Sequence, residues 1–382
     1  MNLFELTKSL MNIPSTSGEE EAVGFWLRDY LVSLGWTVEL QAVGTRTPSS
    51  ALSAASARRD GAINVSPGEP AIADEGVRVP SEPSAFRQNN VIAYLNESPR
   101  IWFSTHMDTV PPFIPPSEDN EKIYGRGSCD AKGIIAAQIT AAEQLRRQGI
   151  EEIGLLYTVE EERASTGAKV ANEHPLARKC EYMINGEPTD NELAIGSKGA
   201  FRAEIKTTGK AAHSAYPEAG DSAIEKLLDI LDDVRHTRFP NDDFFGETTV
   251  NIATLDGGVA LNVIPPNAEA GILIRLTTPM ETIRDALETV IRGRGELEIL
   301  SYSLPVKMLA VDGFKQKVVR FTTDIPHLTN WGQPLLLGPG SILVAHTKDE
   351  FVLKKDLEDA VGLYVHLVKR LLKQDGQDSQ DN

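Results

Sequence analysis

Residues 101–108 read IWFSTHMD, residues 132–147 read KGIIAAQITAAEQLRR and residues 153–158 read IGLLYT. The first and third open on short apolar runs, the length of strands buried on both faces. The middle stretch repeats apolar residues at helical spacing, so the three together predict strand, helix, strand. The alternation resumes with a helical stretch after Ser165 and an apolar run over Tyr182 to Asn185, which sets a sheet between layers of helices. From Gly196 the character changes. Longer alternating strands (Ala200 to Thr207, Thr248 to Leu255, Ala268 to Leu276) are separated by helical patterns near Asp221 to Arg235 and Glu281 to Arg292. This predicts a smaller two-layer α+β domain. Lys354 to Leu372 then places Leu357, Val361, Tyr364, Val368 and Leu371 on one helical face, suited to closing one face of the first domain's sheet. The expected fold class is therefore α/β: a helix-sandwiched mixed sheet over 1–195 and 309–382, with a smaller α+β domain inserted over 196–308.

Upstream, Thr16 or Ser17 followed by Glu19 to Glu21 predicts the start of a helix that runs to Leu34, and Trp36 to Leu40 and Asn90 to Tyr94 read as strands. Between them, residues 43–88 are rich in Ser, Ala, Pro, Gly and Arg without apolar periodicity. That composition predicts a flexible surface insertion.

A chain of 382 residues exceeds the size at which one core stops growing, in keeping with two domains. No stretch approaches the roughly 18 apolar residues of a membrane span. Met1 to Asn12 mixes Glu5 and Lys8 with apolar residues, unlike a secretory leader, so a cytoplasmic protein is expected. A net charge of -17 repels polyanions, which argues against nucleic acid or an anionic membrane as partner. Two cysteines, Cys129 and Cys180, are too few for a disulfide framework and fit a reducing compartment.

Chemistry concentrates at the ends of the apolar runs. After Ile101 to Phe103 come His106 and Asp108, which point the same way in an extended segment and can meet. A carboxylate holding one imidazole nitrogen while the other binds metal is the usual support around zinc. Gly125 to Gly133 places Asp130 in a glycine-rich turn before a helix, where a carboxylate can bridge two cations. The glycines lack the spacing of a nucleotide loop, and Cys129 reads as a small buried residue. Tyr157 to Arg163 carries Glu160, Glu161 and Glu162 at a strand end. Such a run is commonly a solvated charge cluster, but it also suits a division in which one carboxylate binds metal and its neighbour carries a proton. Glu187, in Asn185 to Thr189, and the late His346 complete a donor set of the kind zinc takes.

Taken in order, HxD, GRGxxDxKG, the acidic pair, GEPT, GKxAHSxxP, NVIP and AHTxDEF resemble the dinuclear zinc aminoacylase and carboxypeptidase family. That family includes acetylornithine deacetylase, succinyl-diaminopimelate desuccinylase and N-acetyl-lysine deacetylase. The resemblance covers the chain outside residues 43–88. It implies a catalytic domain with an inserted lid and dimerisation domain. It makes His106, Asp130 and Glu187 one metal site, and Asp130, Glu162 and His346 the other, with Asp130 the bridge between two Zn2+ (Co2+ or Mn2+ as substitutes). It further makes Glu161 the general base, Asp108 the residue orienting His106, and His213 a donor to the developing oxyanion, in a homodimer. Asn262 and Arg275 match positions that contact a substrate carboxylate, which an arginine can grip with two parallel hydrogen bonds. Gly338 and Gly340 allow close backbone approach to substrate. The expected activity is removal of an acyl group from an N-acyl amino acid. A dipeptidase or carboxypeptidase of the same family is the alternative, and a catalytically dead binding module the alternative from another class. His174, His236, His327 and His366 match no motif.

Overall fold

Ile101–His106 and Ile153–Thr158 are buried at every residue and pair in parallel, Trp102 opposite Gly154. They belong to a computed structural model that describes residues 1–46 and 86–378. The chain divides into two compact units, Met1–Cys180 with Pro339–Asn382, and Glu181–Gly338. The 196–308 segment expected as an inserted domain lies wholly inside the second.

In the first unit four strands run in the order Thr37–Arg46, Phe86–Tyr94, Ile153–Thr158, Ile101–His106. The first two contacts are antiparallel and the last parallel. Helix Lys132–Arg146 is buried nearly all round and packs against the C-terminal helix Lys354–Asp378. That helix buries the expected Leu357, Val361, Tyr364, Val368 and Leu371. Tyr364 meets Phe103 edge-on, with ring centres 5.2 Å apart.

The strands flanking the expected insertion are longer than their apolar residues suggest, pairing Arg46 with Phe86 and Thr45 with Arg87. Residues 43–46 and 86–88 therefore form a ladder, while 47–85 lie outside the described residues. The extension rests on backbone pairing and on absorbed polar groups: Asn90 donates to Gln41 Oε1 at 2.9 Å and to the Gly167 carbonyl at 2.8 Å. The second helix also begins later than expected, at Glu21, and its N-terminal residue has no side-chain cap. Ser17 is spent elsewhere, as described below.

In the second unit Tyr182–Asn185 pairs in parallel with Gln333–Leu336, and Leu193–Ser197 takes Gln316–Val319 in parallel and Val306–Lys307 antiparallel. The same unit holds an antiparallel sheet in the order Thr249–Gly257, Asn267–Leu276, Gly199–Thr208, Glu296–Ser303. Asn267–Leu276 alternates throughout and Gly199–Thr208 from Phe201 onward, so Phe201, Ala203, Ile205, Ile272, Ile274 and Leu276 share one face. That face makes a core with Leu227, Ile230, Ile283 and Leu287 of helices Ala223–His236 and Met280–Ile291. This is the two-layer α+β arrangement the alternation predicts. Among the described residues no helix is long and apolar enough to cross a membrane.

Space in the first sheet is filled closely around Trp102. A Cβ at Gly154 would come within 2.4 Å of the indole. Gly154→Ala is expected to lower stability by about 1–3 kcal/mol, the usual cost of overpacking, as measured by urea unfolding. Unaltered stability would show that the indole can shift without loss.

Candidate metal centre

His106 closes its strand and is 1% exposed. Its Nδ1 lies 2.9 Å from the main-chain carbonyl of Asp108, so Nδ1 carries the proton. Nε2 then presents a lone pair toward Asp130 Oδ1, itself a lone-pair donor, 3.0 Å away. Either a second proton on the imidazole or a cation between the two atoms satisfies both. The other oxygen of Asp130 lies 3.2 Å from His346 Nε2, and that nitrogen lies 2.7 Å from Glu162 Oε1. One ligand atom each from His106, Asp130 and Glu162 falls within 4.8 Å of the others. Asp130 thus offers one oxygen to each of two imidazoles, the disposition of a bridging carboxylate. The donor set of imidazole nitrogen and carboxylate oxygen fits zinc, cobalt or manganese.

The electrostatics agree. Hydrogen bonds donated to Asp130 and Glu162 push the His346 imidazole up to about 10. Burial alone would raise the Asp130 carboxyl, but His106 and His346 hold it well below the usual carboxylate range. Burial raises the Glu162 carboxyl, with His346 working against it. The cluster demands positive charge, which a divalent ion supplies more fully than a proton.

Asp108 serves differently from the expected carboxylate–imidazole pair. Its carboxylate stands 3.4 Å from His106 Nδ1, and it is the carbonyl that accepts the imidazole proton. The carboxylate is occupied by Ser17 Oγ at 2.6 Å and by the amides of Glu161 and Glu162 at 3.1 and 3.2 Å. It anchors the acidic turn. Glu160, in a left-handed conformation at φ 58°, is buried, and its amide donates to Glu20 Oε1 at 3.2 Å. Three successive amides therefore rest on two buried carboxylates, while Glu161 and Glu162 keep partial exposure.

A second support lies behind Asp130. Glu350, fully enclosed, accepts the amides of Cys129 and Asp130 at 3.3 and 3.4 Å and forms an ion pair with buried Arg126. Arg126 and Glu350 belong to the GRG and DEF motifs, so their co-occurrence was the sequence signal for this contact. Ser17 and Glu20 carry no comparable signal. The sequence shows them only as the approach to a helix.

Glu187, which follows strand Tyr182–Asn185, is 5% exposed and belongs to the second unit. Gly338 is required by that neighbourhood: a Cβ there would come within 2.4 Å of the Glu187 carbonyl. Thr189 exchanges hydrogen bonds with both sides of its peptide. Gly340, at φ 81°, would bring a Cβ within 2.6 Å of Cys129. Protein packing thus accounts for both glycines without recourse to substrate. His213 is exposed, and its Nδ1 accepts the Ala215 amide at 3.1 Å, which leaves Nε2–H as an outward donor. The Ser214 amide donates to the Asn262 carbonyl at 3.0 Å, placing these two expected residues in one corner of the second unit. Arg275 is half-buried on strand Asn267–Leu276.

Burial, and then the charge of Asp108, raise the Glu20 carboxyl from 4.5 to about 7. Between those values the unfolded chain releases its proton first, so stability falls as pH rises through that window. Glu20→Gln mimics the protonated form. Relative to the parent, its stability is expected to grow by up to about 3 kcal/mol between pH 5 and pH 8. Urea unfolding of the metal-free protein checks this, and a difference independent of pH would exclude Glu20 as the titrating group.

The family model "Peptidase family M20/M25/M40" matches residues 102–370. A Peptidase M20 domain-containing protein of Schizosaccharomyces pombe is 37% identical over 376 residues, 96% of this chain and 84% of that protein. A probable carboxypeptidase of Aspergillus terreus is 36% identical over 400 residues, covering 95% and 84% of the two chains. The solved dinuclear metal-binding M20 peptidase of Bacillus subtilis is 15% identical and shares the fold, with TM-score 0.61 over 96% of this chain and 98% of its own. With the family model matched over most of its length and such relatives along nearly all of it, the chain belongs to peptidase family M20/M25/M40 and is a metal-dependent hydrolase.

Proposed function

We propose that this enzyme hydrolyses the amide bond on the amino side of an amino acid whose carboxylate is free. The observation that carries the proposal is the Asp130 carboxylate set between His106 and His346, with Glu162 on the second imidazole. In the narrower form the group removed is a simple acyl group, as in N-acetyl amino acids. The carboxypeptidase form, in which an aminoacyl group is removed from a short peptide, is favoured by the name of the Aspergillus terreus relative.

We assign His106, Asp130 and Glu187 to one cation and Asp130, Glu162 and His346 to the other. Two such cations, zinc in the first instance, supply Lewis acidity to the amide carbonyl and acidify a water. Glu161 takes the proton of that water and delivers it to the leaving amine. Its backbone is fixed by Asp108 while its side chain stays partly exposed, which suits a group that must receive and release a proton. His213 donates Nε2–H to the carbonyl oxygen as charge develops there. Arg275, with Asn262, holds the substrate carboxylate. We assign residues 196–308 as the lid and dimerisation domain. Exposed Tyr216, against His213, and exposed Val259 and Leu261, next to Asn262 in the chain, favour a homodimer in which a second copy covers them. Two buried free cysteines accord with a reducing cytoplasm.

Glu161→Gln is expected to retain about two metal ions per chain by elemental analysis and to lose activity by roughly 100-fold or more. An unchanged kcat would remove Glu161 from the role of base. Chelation is expected to abolish hydrolysis of N-acetyl amino acids or dipeptides, and Zn2+, Co2+ or Mn2+ to restore it. Activity that survives complete metal removal would overturn the proposal.

A further inference from the structure

One face of the antiparallel sheet in the second unit is sealed by helices, and on the opposite face two arginines stand together. Phe201 and Ala203 point into the core, so Arg202 points away from it. Ile274 and Leu276 likewise leave Arg275 on the open face. In the ladder Arg202 lies opposite Leu273 and Arg275 opposite Ala200, so the two guanidinium-bearing residues are diagonal neighbours on one surface. Diagonal pairs of this kind are within reach of long side chains.

The cross-strand neighbours of the two arginines are uncharged. Across the ladders, Thr249 faces Arg275, Asn251 faces Leu273, Ser301 faces Arg202 and Ser303 faces Ala200. The nearest carboxylate along the strand, Glu204, is engaged by Lys206 at 3.2 Å. Lys198, just before the strand, spends its ammonium on the Glu247 carbonyl. Neither Arg202 nor Arg275 has a hydrogen-bond or ion-pair partner among the described residues. Burial and the charge of Arg202 both work against the charge on Arg275.

Arg202 is exposed and Arg275 half-buried, and two like charges side by side repel one another unless an anion meets them. Each guanidinium can take one carboxylate through two parallel hydrogen bonds. Thr249 and Asn251 on the strand beyond Arg275, and Ser301 and Ser303 on the strand beyond Arg202, can add hydrogen bonds at either end. One carboxylate accounts for Arg275 alone. A second carboxylate on the same anion can meet Arg202.

We propose that the amino acid released by this enzyme is acidic, an aspartate or glutamate, with Arg275 taking its α-carboxylate and Arg202 its side-chain carboxylate. This rests on the assignment of Arg275 as the carboxylate clamp. The α- and side-chain carboxylates of one residue lie close together, matching neighbouring arginines on adjacent strands. A second carboxylate on the acyl side would lie across the scissile bond from the first.

The test compares isosteric pairs with the metal-loaded enzyme: N-acetyl-glutamate against N-acetyl-glutamine, and Ala-Glu against Ala-Gln. The acidic member of the pair that is hydrolysed is expected to be favoured at least tenfold in kcat/KM. Arg202→Gln is expected to erase that preference, mainly through KM, with less than threefold change for the neutral member. Calorimetry supplies a readout apart from turnover: glutarate should bind the parent at least tenfold more tightly than it binds Arg202→Gln, while butyrate should not distinguish them. Equal rates for acidic and neutral members, or a preference that survives Arg202→Gln, would overturn the inference. So would a preference for N-succinyl-alanine over N-acetyl-alanine without any preference for glutamate. Arg275→Gln separates the two levels. If it leaves KM unchanged for both members, the clamp assignment falls and the inference with it. If it raises both KM values while Arg202→Gln changes nothing, the inference falls alone.

Discussion

The carboxylate of Asp130, 5% exposed, has one imidazole nitrogen 3.0 Å from one oxygen and a second 3.2 Å from the other. An ionised carboxylate so far from water is tolerated only where positive charge is supplied on the spot. Much of the first unit can be understood as the means of bringing that charge to it. His106 arrives at the end of a wholly buried strand, and His346 on a turn in which it adopts φ 63°. A non-glycine residue in that conformation is held there by its surroundings.

The surroundings are two separate sets of buried hydrogen bonds. Behind Asp130, Glu350 gathers the amides of Cys129 and Asp130 and is neutralised by Arg126. Because Glu350 follows His346 by four residues, this contact also fastens the turn that carries His346. Behind His106, the carbonyl of Asp108 fixes the imidazole tautomer while its carboxylate fixes the acidic turn. One residue thereby coordinates two tasks that must agree in space: presenting a nitrogen to a cation, and presenting Glu161 and Glu162 beside it. Supports of this kind are what hold ligands within the tolerance that catalysis demands.

How much of this was legible in the sequence depends on the range of the interaction. Strand, helix and strand over 101–158 were readable because buried parallel strands are continuously apolar and the helix between them is periodic. The alternation of Gly199–Thr208 and Asn267–Leu276 was readable for the same reason. His106, Asp130, Glu162 and His346 stood out because each ends an apolar run or sits in a glycine-rich turn. The strand ends at Arg46 and Phe86 were not readable, since backbone pairing and the buried amide of Asn90 leave no apolar period. Ser17 and Glu20 were hidden by mimicry: a Ser and a Glu ahead of an apolar run look like helix capping, yet both are turned inward onto Asp108 and the Glu160 amide. The glycines at 338 and 340 had a clear requirement whose cause lay in their packing neighbours, Glu187 and Cys129.

The same contrast separates reaction from specificity. His106 and Asp130, and the carboxylates of Asp108 and Glu350 that brace them, are enclosed, so changing one leaves a buried charge or donor without its partner, at a cost of several kcal/mol. Such residues come in rigid combinations that a sequence displays as motifs. Arg202 and Arg275 stand on the sheet face away from the helices, where their side chains have no partner among the described residues. Exchanging an arginine there costs the fold little, so a different anion, or none, can be accommodated by substitution at one or two strand positions. On the assignment proposed for the two arginines, substrate preference resides in the register of one antiparallel ladder, visible only when the strands are laid side by side.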